Sequence, residues 1–265
     1  MIQLQQILVR VCTALVLTLA ALPLVSHGAP LDPAAAKGKK LLYVYNQTKL
    51  EKARAMAPPP DDPKRIPSLE SWRSNDQQAL AMLKTMGFSV SETDEFSSLD
   101  AVKGQDFIVV SESVDALEIG TKYRNVTIPL LTFENDLLGE LGMVGWKNGR
   151  DTGTEDNQRF LWLVNAPHPL SAGLAPGIQN VLMDENLKMS WGKPGLGAII
   201  IATLRGEPDK AAIFAYEKGA TMYGDFLAPA RRVSFFLWQN NFEQMRPEGV
   251  ALFKAAVLWA VTRPD

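Results

Sequence analysis

The chain has 265 residues, with 27 basic and 29 acidic side chains, 46% hydrophobic residues, one cysteine and two histidines. This composition is typical of one ordinary globular domain. A formal net charge of −2 provides no basic excess for holding a polyanion, so we expect no nucleic-acid partner. So few cysteines and histidines exclude a disulfide framework and a zinc site of cysteines or several histidines, and no metal is expected.

The first 28 residues have the pattern of a secretory signal peptide. A segment with one positive charge and no acid precedes the apolar run Val11–Leu22, which Pro23 ends. This run is too short to span a bilayer, so we predict cleavage after Gly28 and a secreted or periplasmic protein without a stable membrane span. Because Cys12 and His27 lie in this leader, the mature chain keeps no cysteine and one histidine.

Residues 29–38 are predicted to be a flexible spacer, and one domain is predicted from Lys39 to Pro264. Its first strand is Leu41–Tyr45, a nearly continuous apolar run typical of a strand buried on both faces. The following segment contains Pro58-Pro59-Pro60, which can be neither helix nor inner strand. We therefore predict a long loop over Gln47–Arg73.

A helix is predicted after this loop. Ser74 and Gln77 have the spacing of a capping box at its start, and Gly87 is placed to end it. The apolar face of this helix is expected to consist of Leu80, Met82, Leu83 and Met86.

Two more apolar runs follow, at Phe107–Val110 and Ile128–Leu131, and each ends in polar residues. Strands that alternate with helices at short spacing indicate parallel βαβ units. We predict a three-layer, doubly wound α/β fold with a mostly parallel, flavodoxin-like sheet and helices on both faces. Ligands bind beyond the carboxyl ends of the strands in such folds. The residues expected along that rim are Asn46, Ser111, Glu112 and Glu134.

The second half of the chain adds more strands and a last helix. Strands are predicted at Arg159–Val164 and Ala198–Leu204, and a β-hairpin pair at Ala211–Tyr216 and Arg232–Trp238. Pro247–Val261 is amphipathic and predicts a helix. No repeat or change of composition divides these elements into two domains.

Several stretches resemble the class I glutamine amidotransferase-like fold, in particular its ThuA-like (trehalose-utilisation) branch and related secreted bacterial domains. They are Asp106–Ser111, Gly120–Arg124, Val126–Glu134, Pro167–Leu174 and Ala212–Gly219. The resemblance covers most of the predicted domain and implies its fold. Fold by itself does not imply activity.

In amidotransferases of this fold, the strand that corresponds to Ile128–Thr132 leads into a tight elbow that presents a cysteine. This chain has Phe133-Glu134-Asn135 at that turn. We therefore expect no amidotransferase or cysteine-hydrolase activity. ThuA-like proteins also lack the cysteine, and sugar-related roles have been suggested for them from context.

Two acidic residues are candidate catalytic groups. An elbow directs Glu134 toward the rim, where partial burial raises a carboxyl pKa into the range of a general acid or base. Alternatively, Glu134 caps a following helix, Asn135–Leu141. Glu112 has the equivalent position after the preceding strand, and two carboxylates in one cleft are the basis of a sugar hydrolase.

His168 is the third candidate catalytic residue, because it is the one histidine of the mature chain. It lies between two prolines. Its ring either completes a Ser-His-Asp arrangement with Ser111 or Ser113, or it satisfies backbone groups of its own turn.

The candidate ligand-binding residues are Asn46, Ser111, Trp191 and Tyr216. Trp191 lies in a Gly/Pro-rich segment and is the aromatic residue expected to be exposed for stacking on a sugar. The alternative is that these aromatic side chains are core anchors. Glycines 192, 195 and 197 do not have phosphate-loop spacing, and no cofactor is expected.

These observations lead to one main hypothesis and two alternatives. The main hypothesis is a secreted or periplasmic binding or accessory protein for a small polar ligand, with carbohydrate as the suggested class. The first alternative is a carboxylate-dependent sugar-processing enzyme. The second is a protein-interaction module of the cell envelope, which an exposed apolar patch would indicate.

Overall fold

A computed structural model describes residues 31–47 and 67–262 of the chain. The predicted signal peptide, the start of the predicted spacer and residues 48–66 of the predicted loop lie outside the described residues. Pro33–Ala36 forms a short 3₁₀ helix whose Ala36 is fully buried. The folded domain therefore begins before Lys39, and the spacer was predicted too long, because Ala36 packs against the core.

One half of the single large sheet is parallel, as its apolar runs predict. Its strands lie in the order β2-β1-β3-β4-β11, and each neighbouring pair is parallel. Their bounds are β1 Lys40–Val44, β2 Ser89–Thr93, β3 Phe107–Val110, β4 Leu130–Thr132 and β11 Arg232–Phe235. In β1 and β3 nearly every side chain is buried, because both faces of the sheet are covered.

The other half of the sheet is antiparallel and continues from β11 in the order β10-β9-β6-β7, while β8 pairs with β10 and with β5. These strands are β5 Thr152–Glu155, β6 Phe160–Leu163, β7 Gly177–Asn180, β8 Met189–Gly192, β9 Ile199–Leu204 and β10 Glu207–Tyr216. The predicted pair β10 and β11 is antiparallel as expected. The tight hairpin, however, joins β9 to β10 through Arg205 and Gly206.

Three α-helices have both ends in the described residues: α1 Pro67–Thr85, α2 Ala116–Ile119 and α3 Pro247–Val261. The predicted loop was wrong from Pro67 onward, and Ser74 is inside α1 instead of capping it. Proline is favoured in the first turn of a helix, where its missing N–H costs nothing. Gly87 adopts a positive φ of 101° just after α1, as its predicted role at the helix end requires.

The two faces of the sheet are covered differently. Helices α1 and α3 pack on one face, where Leu83 and Phe253 are fully buried with alternate residues of β1 and β3. The one-turn helix α2 and a series of turns cover the other face, with Ile119 and Leu141 in its core. Alternation of side chains along each strand divides the core in this way. No helix of the described residues is long and apolar enough to cross a membrane.

Candidate functional site

A cavity of about 540 Å³ lies beyond the carboxyl ends of β3 and β4. It is lined by residues around α2, by the turns that follow β4 and by the loop that leads into β5. The lining side chains with polar or aromatic groups are Asp115, Glu134, Asp136, Glu140, Trp146, Asn148 and Thr152. This is the edge where ligands bind in open α/β folds.

Glu134 is the buried acid of this cavity. Its side chain is only 7% exposed, and its Oε1 accepts a hydrogen bond from the backbone N–H of Asp136 at 2.8 Å. Thr132 holds the turn by accepting the backbone N–H of Glu134 on its hydroxyl at 3.0 Å. Burial raises the pKa of Glu134 well above its usual range, and the neighbouring carboxylates Glu112, Asp136 and Asp115 raise it further.

The chain after Glu134 does not form the predicted helix. Asn135–Leu141 is a series of turns, in which the N–H of Leu138 donates to the carbonyl of Asn135 at 3.2 Å. Glu134 also lacks the positive φ of a strained nucleophile elbow. The helix prediction was wrong because Gly139 and Gly142 favour turns, and Gly142 adopts a φ of 74°.

Glu112 is near enough to Glu134 for its charge to raise the pKa of Glu134, but it is not among the residues that line the cavity. Asp115 lines it and also caps α2, since its Oδ1 accepts the N–H of Leu117 at 3.0 Å. Asp136 is held by the side-chain amide of Asn135 at 2.8 Å. Burial raises the pKa of Asp136. The cavity is therefore bordered by several carboxyl groups whose charges repel one another.

Trp146 provides an exposed aromatic surface at this cavity, with 59% of the residue accessible. Its loop is organised by Asp151, which accepts the backbone N–H of Lys147 at 3.1 Å and pairs with Arg150 at 2.7 Å. These hydrogen bonds lower the pKa of Asp151 to about 2. Trp146 was not among the ligand-binding residues predicted from the sequence. Its place among Gly145, Lys147, Asn148 and Gly149 was the available signal for an exposed position.

The predicted rim residues Asn46 and Ser111 do not line the cavity, because a buried hydrogen-bond network holds them. Asp76 of α1 is at its centre and accepts the hydroxyls of Tyr43 at 2.7 Å, Ser111 at 2.5 Å and Ser113 at 2.7 Å. The backbone N–H of Asn46 donates to Ser113 at 3.2 Å. Burial raises the pKa of Asp76.

Asp76 was not predicted from the sequence. The one signal was a carboxylate on the side of α1 that also carries Leu80 and Leu83, and such a residue needs partners when buried.

His168 does not join the other candidate catalytic residues, and this part of the predicted site was wrong. Its ring lies 5.7 Å from that of Trp259 in α3, close to Arg231, which precedes β11, and to Glu217, which follows β10. Because β11 is parallel to β4, this is the opposite edge of the sheet from Glu134. The Nδ1 of His168 accepts the N–H of Leu170 at 3.2 Å, and burial lowers its pKa.

Trp191 and Tyr216 are core residues. Trp191 lies in β8 and is 4% exposed, so the prediction of an exposed stacking residue was wrong. Pairing of β8 with β5 and β10 buries the indole. The hydroxyl of Tyr216 donates to the carbonyl of Met143 and accepts the N–H of Gly195, both at 2.6 Å. These bonds join β10 to two neighbouring loops.

The acidic groups do not form a metal centre. Within the described parts of the chain, no three His, Cys, Asp or Glu side chains come together as ligands for a metal ion. The carboxyl groups of the cavity therefore surround a volume instead of converging on one point.

Sheet order and site position define the class of protein. A sheet with one parallel half and a cavity at the carboxyl ends of the parallel strands is an open α/β fold of the kind that binds ligands at this edge. A scan of protein-family models finds no match, and a search of curated proteins finds no similar sequence.

A solved structure confirms the fold that the sequence resembles. A protein described as ThuA-like from Bacteroides uniformis superposes with a TM-score of 0.51 at 13% identity, over 88% of this chain and 95% of that chain. A protein described as a candidate GMP synthase subunit, from Thermoplasma acidophilum, matches at a TM-score of 0.48 and 10% identity, over 83% of this chain and 94% of that chain. At these identities the likeness concerns the fold.

Proposed function

We propose that this protein binds a small polar ligand of the carbohydrate class in the cavity beyond β3 and β4, and that it is not an amidase. The observation that carries the proposal is the combination of an exposed indole, Trp146, with the buried carboxyl group of Glu134 in one cavity. Sites for small ligands typically combine apolar surface with a few polar groups of fixed orientation.

The chemistry of the lining residues supports a sugar as the ligand. The apolar face of a sugar ring stacks on an aromatic side chain, and its hydroxyls donate to carboxylates and accept from amides. Asn148 supplies such an amide beside Trp146, and it is held near Asp136 by a hydrogen bond of 3.3 Å. The cavity volume of about 540 Å³ is within the range of small-ligand sites.

Isothermal titration calorimetry with a panel of mono- and disaccharides tests this proposal. We expect at least one sugar to bind, and Trp146→Ala to weaken its binding by about tenfold or more. Trp162→Ala is the matched control, because Trp162 is also exposed, at 45%, but lies in β6 away from the cavity. Equal affinities for both variants, or no binding across the panel, would contradict the proposal.

A carboxylate-dependent sugar-processing enzyme is the second candidate, and the raised pKa of Glu134 favours it. A carboxyl group whose pKa is raised by burial is suited to act as a general acid, and Glu112 is a second carboxyl group nearby. In a preparation that turns over a glycoside, we expect Glu134→Gln to abolish turnover and to retain binding. Unchanged turnover would exclude the enzymatic role of Glu134.

The leader pattern supports export as a further part of the proposed function. We expect the full chain, expressed in a bacterium, to yield a periplasmic or secreted product that begins at Ala29, as determined by mass spectrometry. Leu17→Arg interrupts the apolar run and should leave the uncleaved chain in the cytoplasm. A product that keeps Met1 would contradict a cleaved signal peptide.

A further inference from the structure

We infer that the protein has a second ligand site, a groove between α1 and α3 that binds a medium-chain fatty acid as its carboxylate. This site goes beyond the sugar-binding function proposed above. The groove has a volume of about 740 Å³ and lies on the sheet face that α1 and α3 cover. Among the described residues, none that lines the groove also lines the cavity beyond β3 and β4.

The long walls of the groove are formed by one stripe of residues on each helix. Residues four positions apart lie on the same face of a helix. The lining residues with this spacing are Gln78, Met82 and Met86 on α1, and Val250, Lys254 and Leu258 on α3. Each stripe extends over about 12 Å along its helix, which is the length scale of a medium-chain acyl group.

Hydrogen bonds hold the elements at both ends of the groove. The N–H of Phe242, in the turn before α3, donates to Oδ1 of Asn75 in α1 at 2.6 Å. At the other end lies Pro33, in the 3₁₀ helix that precedes β1. The N–H of Gly38 joins this region to the end of α1 by donating to the carbonyl of Gly87 at 2.9 Å. The groove is therefore a concave site with bounded ends.

The interior of the groove is apolar and rich in methionine. Its apolar lining includes Met82, Met86, Phe242, Met245 and Leu258. Met82 and Met86 are only half-buried, so part of this apolar surface is open to solvent. Methionine side chains are flexible and adapt to apolar ligands of irregular shape. Covering this surface with an acyl chain removes it from water, which is favourable.

Lys254 provides the charge that selects the head group of the ligand. Four polar residues are found among the described lining residues, and three of them have partners. Gln78 donates from Nε2 to Oε2 of Glu243 at 3.0 Å, and the hydroxyl of Thr85 donates to the carbonyl of Ala81 at 2.8 Å. Lys254 is exposed and pairs with no acid of the described residues. A carboxylate is the complementary group for its ammonium.

The shape of the groove favours a single chain over a larger partner. A bilayer surface is flat and does not enter a groove between two helices. The same concave face on a second copy of the protein would leave the groove unfilled. An ionised fatty acid combines one acyl chain for the methionine-lined interior with one carboxylate for Lys254. Small-ligand sites typically have this combination of apolar walls and few polar groups.

Calorimetry of the purified protein with octanoate and 1-octanol tests the inference, because these ligands have the same chain length and differ in the charge of the head group. We expect octanoate to bind about three- to fivefold more tightly than 1-octanol. Lys254→Gln should remove this difference. Lys218→Gln is the matched control, since Lys218 is exposed in the turn after β10 and does not line the groove.

A second variant tests the apolar interior. Met86→Ala should weaken the binding of both ligands by about threefold or more, because it removes part of the apolar wall. Met183→Ala is the control, since Met183 is exposed outside the groove. Lys254→Gln changes an exposed residue and is expected to fold, so the test of the head group does not depend on the stability of Met86→Ala.

The possible outcomes decide between a fatty acid and other occupants of the groove. Equal affinities for octanoate and 1-octanol, or a difference that persists in Lys254→Gln, would overturn the inference, and so would absence of binding by both ligands. A dimer in sedimentation velocity that Met86→Ala dissociates, without octanoate binding, would assign the groove to a second copy and would also overturn it. Sugar binding in the separate cavity is not decided by these results.

Discussion

Asp76 shows how one buried carboxylate organises an edge of the sheet. Helix α1 brings it to the carboxyl ends of β1 and β3, where three hydroxyls donate to its two oxygens. Two of these donors, Ser111 and Ser113, are adjacent to Glu112 along the chain. The network thereby fixes the backbone on both sides of Glu112, whose charge acts on Glu134.

Replacing Asp76 by alanine should destabilise the protein by about 3 kcal/mol, because the hydroxyls of Tyr43, Ser111 and Ser113 would lose their buried acceptor. Urea unfolding followed by circular dichroism measures this change. Asp100→Ala is the control, since Asp100 pairs with Lys103 at the surface and its loss should change stability by at most about 0.5 kcal/mol. Similar losses for both variants would show that the network is not stabilising.

Glu134 makes stability depend on pH in a predictable direction. Its pKa in the folded state is raised above the ordinary value of 4.5. The full contribution of Glu134 to the free energy of unfolding is therefore present below the pKa of the unfolded state. This contribution is lost as the pH rises toward the pKa of the folded state. Relative to Glu134→Gln, the wild-type protein should lose stability from about pH 4.5 upward, by at most about 1.4 kcal/mol per pH unit.

Thermal unfolding of the wild type and Glu134→Gln across this pH range measures the difference between them. Glu118→Gln is a suitable control, because Glu118 is an exposed residue of α2 and its replacement should leave the pH profile unchanged. If the stability of the wild type relative to Glu134→Gln stayed constant or increased with pH, Glu134 would be ionised in the folded protein.

At the scale of elements, Arg231 connects the end of α3 to the start of β11. Its Nη1 donates to the carbonyls of Trp259 at 2.5 Å and Thr262 at 2.6 Å, and its Nε pairs with Glu217 at 2.7 Å. The unpaired carbonyls at a helix C-terminus carry partial negative charge, which a guanidinium group satisfies well. Arg231 and Glu217 also surround His168, so the contacts of His168 serve the structure of this region.

Arg231→Met should therefore destabilise the protein by about 2–3 kcal/mol, since the carbonyls of Trp259 and Thr262 lose a charged donor. Chemical denaturation gives the free energy of unfolding. Lys218→Met removes the same charge from an exposed neighbouring position and should change stability by at most about 0.5 kcal/mol. If the two variants were equally stable, the contact between Arg231 and α3 would contribute nothing.

For the whole molecule, the aromatic core around Phe253 links α3 to the sheet and to the site. The ring of Phe253 lies 5.9 Å from Phe133, 5.7 Å from Phe235 and 5.1 Å from Phe242. Phe133 directly precedes Glu134 in the turn that forms the cavity. Packing on one face of the sheet therefore supports a ligand site at its edge.

Phe253→Ala should cost about 3–5 kcal/mol, because it leaves a large void among buried aromatic rings. We expect unfolding by urea to remain a single transition, with circular dichroism and tryptophan fluorescence coinciding. Phe96→Ala is the control, since Phe96 is exposed and its loss should have little effect. Separate transitions for the two probes would show that α3 unfolds independently of the sheet.

Local patterns in the sequence were sufficient to predict much of this fold. The apolar runs of β1, β3 and β9 and the amphipathic pattern of α3 reflect burial that each segment needs wherever it packs. Absence of a cysteine beyond position 12 excluded a cysteine nucleophile in the described domain without any structure. The position of Glu134 after a parallel strand was enough to place it at the carboxyl edge of the sheet.

Tertiary structure alone decided which residues meet at the site. Trp146 and Trp191 look alike in sequence, since each has glycine neighbours, but strand pairing buries Trp191 and leaves Trp146 exposed at the cavity. Asp76 and Ser111 are 35 positions apart and become partners only when α1 packs on the sheet. His168 lies at the opposite edge from Glu134 because strand direction, which no local pattern contains, determines the end at which a loop emerges.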